Sequence, residues 1–247
     1  MSGFRLNRRL LLTAGSGVFG ITVLNTLTGC STPEKNDPAG PGAAASSAPP
    51  GPGVDWHRVD LDFVAVYLLV RNGEVAVVDT GTAGSASAVE AGLKAAGLTW
   101  ASVKHVILTH QHPDHAGGLA EMAPKLSATL YAGTDDVAAI DAAGKQIQAI
   151  KDGDDVFGLQ MIGTPGHTLG HVSVFEPGTG VLVAGDALRN QNVLEGSAPQ
   201  YTADAAQAAA SVKKLAGLDV RAILPGHGQP ITSGAKEALQ KLAATIR

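Results

Sequence analysis

Six residues, His110-Gln111-His112-Pro113-Asp114-His115, constrain this chain more than any other stretch. Four of the six carry side chains that bind metals. They follow directly on Lys104–Leu108, an apolar run that reads as a buried strand. Imidazole and carboxylate are common zinc ligands, and a loop leaving a strand end can turn several of them inward. Pro113 narrows the backbone choices there and removes one donor. One strand end can thus feed two adjacent metals. Three later segments repeat the design of apolar strand, then Gly or Pro, then ligand. They are Thr164-Pro165-Gly166-His167, Ala184-Gly185-Asp186 and Pro225-Gly226-His227-Gly228. Strand ends on one edge of a sheet converge, so these ligands are expected to meet. A purely structural zinc site would be closed and would favour cysteine; the chain has one cysteine, Cys30.

The elements around these motifs follow from pattern and punctuation. Phe63–Val70 and Glu74–Asp79 read as strands joined through Arg71-Asn72-Gly73, since Asn-Gly between apolar runs marks a hairpin. Ser85–Ala96 reads as a helix closed by Gly97. A short helix is expected over Ala116–Met122, a strand over Thr129–Ala132, and a helix from a Thr134 cap through Ala143. Val156–Ile162, His171–Glu176, Gly180–Ala184 and Arg221–Leu224 read as strands, and Thr202–Leu215 and Ser233–Ile246 as helices. Hairpins followed by strand–helix pairs fit mixed sheets covered by helices. No G-x-G-x-x-G follows a strand, which argues against a doubly wound nucleotide fold.

The N-terminus reads as an address. Arg5, Arg8 and Arg9 precede an apolar run, Leu10–Leu24, that is short for a membrane span of about 20 residues. It ends in Leu27-Thr28-Gly29-Cys30, which resembles a bacterial lipobox with Cys30 as the lipidated residue. Arg8-Arg9 before the apolar run resembles a twin-arginine signal, with Leu11 where that motif usually has Phe. The expected organisation is a lipoprotein-type signal over 1–29, a flexible Pro/Gly/Ala/Ser tether over 30–53 and one folded domain over 54–247. The protein is then exported and lipid-anchored on the outer face of the bacterial cytoplasmic membrane. Without the three signal arginines the formal charge moves from −4 to −7, a surface that does not attract nucleic acid.

The ordered set H-x-H-x-D-H, P-G-H, G-D and P-G-H-G, with Asp79-Thr80-Gly81 ahead of it, resembles the metallo-β-lactamase superfamily over nearly the whole domain. The resemblance implies an α+β fold, the αββα four-layer sandwich of two mixed β-sheets flanked by helices. It implies two Zn2+ ions, or other divalent metals such as Fe or Mn. His110, His112 and His167 would hold the first metal, Asp114, His115 and His227 the second, and Asp186 would bridge them. Asp79 would support the site through a ligand imidazole. His171 matches a position that binds no metal in relatives, and its plain reading is a buried histidine opening a strand. His57 and His105 belong to no motif. Common class B β-lactamases place a cysteine near the position of Asp186; an aspartate there is similar to glyoxalase II, lactonase and arylsulfatase-like relatives. The flavodiiron branch replaces the second histidine with Glu, and here His112 stands.

The activity so implied is metal-dependent hydrolysis of a small carbonyl compound: an ester, lactone, thioester or β-lactam. A metal-bridging hydroxide would attack, with Asp114 orienting it and taking up its proton. No G-x-S-x-G element supports a serine nucleophile. Two loops are candidates for choosing the substrate, Phe63–Tyr67 and Leu188–Tyr201; in the second, Arg189, Asn190, Asn192 and Tyr201 would contact it. The chain ends soon after Pro225-Gly226-His227-Gly228, so no helical glutathione-binding domain is expected. The competing readings are a mononuclear iron sulfur-dioxygenase and a non-catalytic, metal-bound binding lipoprotein outside the cytoplasm.

Overall fold

The computed structural model describes residues 5–6 and 54–246. The expected signal segment, apart from Arg5 and Leu6, lies outside the described residues, as do Cys30 and the tether over 30–53. Two mixed sheets form the centre. The first has seven strands in sequence order: β1 (Arg5–Leu6), β2 (Val54–Leu61), β3 (Val64–Arg71), β4 (Glu74–Val78), β5 (Val103–Leu108), β6 (Thr129–Gly133) and β7 (Ile147–Ile150). β1 through β4 pair antiparallel, and β4 through β7 pair parallel. The second holds β8 (Asp155–Val156), β9 (Leu159–Gly163), β10 (Val172–Glu176), β11 (Val181–Gly185) and β14 (Ala222–Pro225), in the order β14-β11-β10-β9-β8. Only the β11–β14 pair in it is parallel.

Period-two alternation explains how the strands build four layers from unbroken apolar runs. In β3, Ala65, Tyr67 and Leu69 face the second sheet, whereas Val66 and Leu68 face outward. β4 and β5 divide likewise: Ala76, Val78 and Ile107 inward, Val75, Val77, Val106 and Leu108 outward. The inward set meets Leu159, Met161, Val174 and Val183 of the second sheet. The outward set is covered by α1 (Ala86–Ala95), through Val89 and Leu93, and by α3 (Leu119–Met122), through Leu119 and Met122. On the far side, Leu182 and Ile223 pack under α4 (Ala205–Leu215) and α5 (Ala235–Thr245), through Val212, Leu215 and Leu239. The result is the helix–sheet–sheet–helix sandwich expected from sequence.

Several elements differ from the sequence reading. The predicted helix Thr134–Ala143 is only a 3-10 turn at Val137–Ala139. Asp136 turns inward to serve other loops instead of capping a helix. Val156–Ile162 is not one strand; it folds back at Phe157-Gly158, both with positive φ, to give β8 and β9. The segment Leu188–Tyr201 contains a hairpin, β12 (Leu188–Asn190) paired with β13 (Leu194–Gly196). Ala116–Met122 is split into α2 (Pro113–Ala116) and α3 around Gly117-Gly118. A Cβ at either glycine would collide with a carbonyl, of Pro113 or of Thr80. β2 was not foreseen, because Asp55, Arg58 and Asp60 interrupt its pattern and only Trp56 and Val59 are buried.

The two sheets are joined at one edge by direct bonds. Ala65 N donates to Gly226 O (3.0 Å), Val172 N to Thr109 O (2.9 Å) and the buried Tyr67 hydroxyl to Pro225 O (2.8 Å). These bonds hold β3 against the end of β14, and the start of β10 against the end of β5, and ligand-type motifs follow the ends of β5 and β14.

Candidate metal centre

The residues singled out in sequence come together at this edge. His110, His112 and His167 form one group of ligand atoms within 4.8 Å of one another, and Asp114, His115 and His227 form another. Asp186 stands between them. Its Oδ1 is 3.1 Å from His115 Nε2, and its Oδ2 is 3.3 Å from His167 Nε2 and 3.2 Å from His227 Nε2. Gly185, at φ 53°, makes the turn that aims Asp186 inward.

The neighbours of the imidazoles decide which nitrogen faces the centre. His227 Nδ1 meets the carbonyl of Phe63 at 2.8 Å, and His115 Nδ1 meets Asp79 Oδ2 at 2.8 Å. Carbonyl and carboxylate only accept, so both protons sit on Nδ1 and both Nε2 atoms present lone pairs. Thr109 Oγ1 donates to Asp79, so it must accept from His110 Nδ1 at 3.0 Å. Thr202 Oγ1 donates to Ala198 O and therefore accepts from Ser197, which in turn accepts from His167 Nδ1 at 2.8 Å. Four imidazoles thus turn Nε2 lone pairs into one space.

Lone pairs at such separations repel unless a cation lies between them. His115 Nε2 and His227 Nε2 are 3.3 Å apart, whereas His112 Nδ1, 2.9 Å from His167 Nε2, donates to that lone pair when it carries the ring proton. His110 Nε2 and Asp186 Oδ1 are buried without a hydrogen-bond partner. Burial without a partner is costly, so these groups fit metal ions. Without metal, protons must fill the role. Burial would lower His115, but Asp186 and Asp79 outweigh it and raise it well above its ordinary value. Burial likewise opposes the hydrogen bonds of Asp114 and Asp186 to His227, and the result is a rise to about 10. Burial would raise Asp186, but the charge of His115 beside it holds it well below the carboxylate range. His167 falls to about 4 through burial.

His171 is placed apart from this set. Its Nε2 accepts from Asp186 N at 3.0 Å. Its Nδ1 donates to Thr164 Oγ1 at 2.8 Å, whose proton passes to Ser173 and Ser173's to Ala184 O. Both nitrogens are used, and burial lowers the ring to about 3. It is a buried neutral histidine that holds the backbone of Asp186. The Asp79 carboxylate that meets His115 Nδ1 also accepts from Thr109 N at 2.7 Å. Thr109, Ser197, Thr202 and the Phe63 carbonyl were missed in sequence, because hydroxyls and main chain have no spacing signature. Arg58 was also missed; it donates to Gly228 O (2.9 Å) beside His227.

A cleft of about 750 Å3 opens over the cluster. His112, Asp114, His167, Asp186 and His227 form its floor, with Arg189 and Tyr201 on its wall. The other two substrate candidates are displaced. Asn190 spends its amide on Gln229 O (2.7 Å), and Asn192 is exposed and absent from the cleft; Gln191 and Gln200 line it instead. Phe63 is 54% exposed and stacks on His227, with ring centroids 6.0 Å apart.

Comparison with known proteins adds relatives. The profile of the Metallo-beta-lactamase superfamily matches residues 59–227. A probable metallo-hydrolase, YflN, of Bacillus subtilis is 29% identical, over 71% of this chain and 84% of that one. A hydroxyacylglutathione hydrolase of Dechloromonas aromatica is 33% identical over 62% of this chain, which spans only 53% of that enzyme's length. A metallo-beta-lactamase family protein from Thermus thermophilus superposes with a TM-score of 0.61 at 27% identity, covering 78% of each chain.

Proposed function

This chain belongs to the metallo-beta-lactamase superfamily and is a metal-dependent hydrolase, and from that premise we propose that it holds two zinc ions and hydrolyses a small ester, lactone, thioester or β-lactam. The observation that carries this reading is the convergence of imidazole lone pairs in two triads around the shared Asp186 carboxylate. Zinc suits such a nitrogen and oxygen donor set, with positions left open toward the cleft. A bound pair of divalent ions would supply a Lewis acid for the scissile carbonyl and lower the pKa of a bound water to roughly 7.

The side chains divide the remaining work. His110, His112 and His167 would hold the first metal, Asp114, His115 and His227 the second, with Asp186 between. Asp114 is the most exposed carboxylate of the cluster and lines the cleft, so it would orient the attacking water and accept its proton. Burial pushes Asp114 up, but the hydrogen bond of His227 and the charge of His115 hold it below its ordinary value, which keeps it ionised at neutral pH. Phe63 and Tyr201 offer apolar surface at the mouth, and Arg189 a cation on the wall. A cleft of this volume suits a ligand of drug size. Among the candidate substrates, the thioester has the support of the named hydroxyacylglutathione hydrolase relative. Export with a lipid anchor at Cys30 belongs to the same proposal, supported by the lipobox-like Leu27-Thr28-Gly29-Cys30.

The test is metal analysis with a panel of ester, lactone, thioester and chromogenic cephalosporin substrates, run on wild type and His112→Ala. Two zinc ions per chain and turnover of one class, abolished in His112→Ala with the fold intact, is the expected result. Unaltered turnover in that variant, or a fully loaded protein inert to the whole panel, overturns the proposal.

A further inference from the structure

The loop after β6 carries a buried carboxylate that the chemistry above does not use. Asp136 is 1% exposed. Its Oδ2 accepts from Gln111 N (3.0 Å) and from Thr168 Oγ1 (2.6 Å), and its Oδ1 accepts from Gly170 N (2.9 Å). Gln111 lies between His110 and His112 in the loop after β5. Thr168 and Gly170 lie in the loop between β9 and β10, directly after His167. One side chain therefore ties together the two loops that supply His110, His112 and His167, although those loops belong to different sheets.

The backbone around Asp136 has independently closed to allow this. A Cβ on Gly133 would collide with Gly170 O, and one on Gly170 would meet Asp136 N and Oδ1. Glycine at both positions lets the loop after β6 press against the loop after β9. No comparable bond runs from Asp136 to Asp114, His115 or His227. His115 is held by Asp79 and His227 by the Phe63 carbonyl.

We propose that Asp136 is a positioning residue that sets the separation of His112 and His167, and so the metal affinity of the His110/His112/His167 triad, without touching metal or substrate. This rests on the binuclear reading. A carboxylate offers two acceptor atoms to donors from two loops, whereas an amide offers one and turns an N–H against a donor. Residues that orient ligands typically contribute about 10–100-fold in metal affinity.

The experiment compares stepwise zinc affinities by chelator competition in wild type, Asp136→Asn and Thr168→Val. The last removes only one of the bonds and spares the fold. Asp136→Asn should weaken one of two zinc sites by about 10–100-fold, and Thr168→Val should weaken the same site less. In a His112→Ala background, where the first triad is already broken, Asp136→Asn should leave the remaining zinc affinity unchanged. A stability-matched core variant, chosen by metal-free Tm, should show no selective loss. Wild-type affinities in Asp136→Asn, equal weakening of both sites, or the same weakening in the matched core variant overturn the proposal while leaving the binuclear reading intact. A wild type that takes up no zinc overturns both.

Discussion

Replacing Asp79 with Asn separates the structural work of this carboxylate from its electronic work. The residue sits at φ 65°, a left-handed conformation that Asn tolerates, so the backbone is not the variable. Asp79 Oδ1 accepts from Thr109 N, and Oδ2 accepts from His115 Nδ1. Both donors are fully buried. Asn has one acceptor oxygen and must fail one of them. If its oxygen keeps Thr109, its amide N–H meets His115 Nδ1 and drives the proton to Nε2, which blocks the atom that faces the other ligand-type side chains. If its oxygen keeps His115, Thr109 N faces an N–H and loses its partner. An orphaned buried group costs about 1–3 kcal/mol. In the first case that cost falls on metal binding, a weakening of roughly 5–150-fold. In the second it falls on stability, a drop in Tm of about 2–12 °C for a domain of this size. Calorimetric Tm of the metal-free protein and zinc affinity by chelator competition, measured together, read both terms. An Asp79→Asn variant with wild-type values of both would refute the reasoning.

Zinc should release protons on binding at neutral pH. His227, raised to about 10 from 6.5, stabilises the metal-free fold fully below pH 6.5 and loses that contribution as pH climbs through 10. Metal needs the same nitrogen bare, so zinc affinity should rise with pH across that window; calorimetric titrations in buffers of different ionisation enthalpy will show the protons, and zero release at pH 7 would mean that His227 Nε2 is already bare there and refute the raised basicity. Leu182→Ala, in the fully buried layer under α4 and α5, should lower stability by about 2–5 kcal/mol without changing zinc affinity, read by denaturant melts with and without chelator. Arg189→Ala should raise KM about tenfold or more for carboxylate-bearing substrates with kcat preserved, because its guanidinium lines the cleft and Glu195, 3.1 Å from Nη2, engages only one of its nitrogens; a loss confined to kcat would exclude a binding role.

Side-chain chemistry and period-two patterning were legible along the chain. The His110–His115 stretch, His167, Asp186 and His227 announced themselves because each follows an apolar strand at a Gly or Pro turn, and strand alternation alone sorts Val66 from Tyr67. Local signals failed where a distant partner decided the outcome. Thr134–Ala143 carries a helix start, yet Asp136 bonds to loops from two other strands and caps no helix. Asn190 looked available for substrate until a pairing with Gln229, 39 residues away in sequence, took its amide. The proton positions on the four imidazoles rest on Asp79, Thr109, Ser197 and the Phe63 carbonyl, which come from separate strands and loops. The sequence by itself determined which groups are able to bind metal and which strand ends carry them. Tertiary structure alone decided which nitrogen of each ring faces inward, because a hydrogen bond depends on what lies about 3 Å away in space, whatever its distance along the chain.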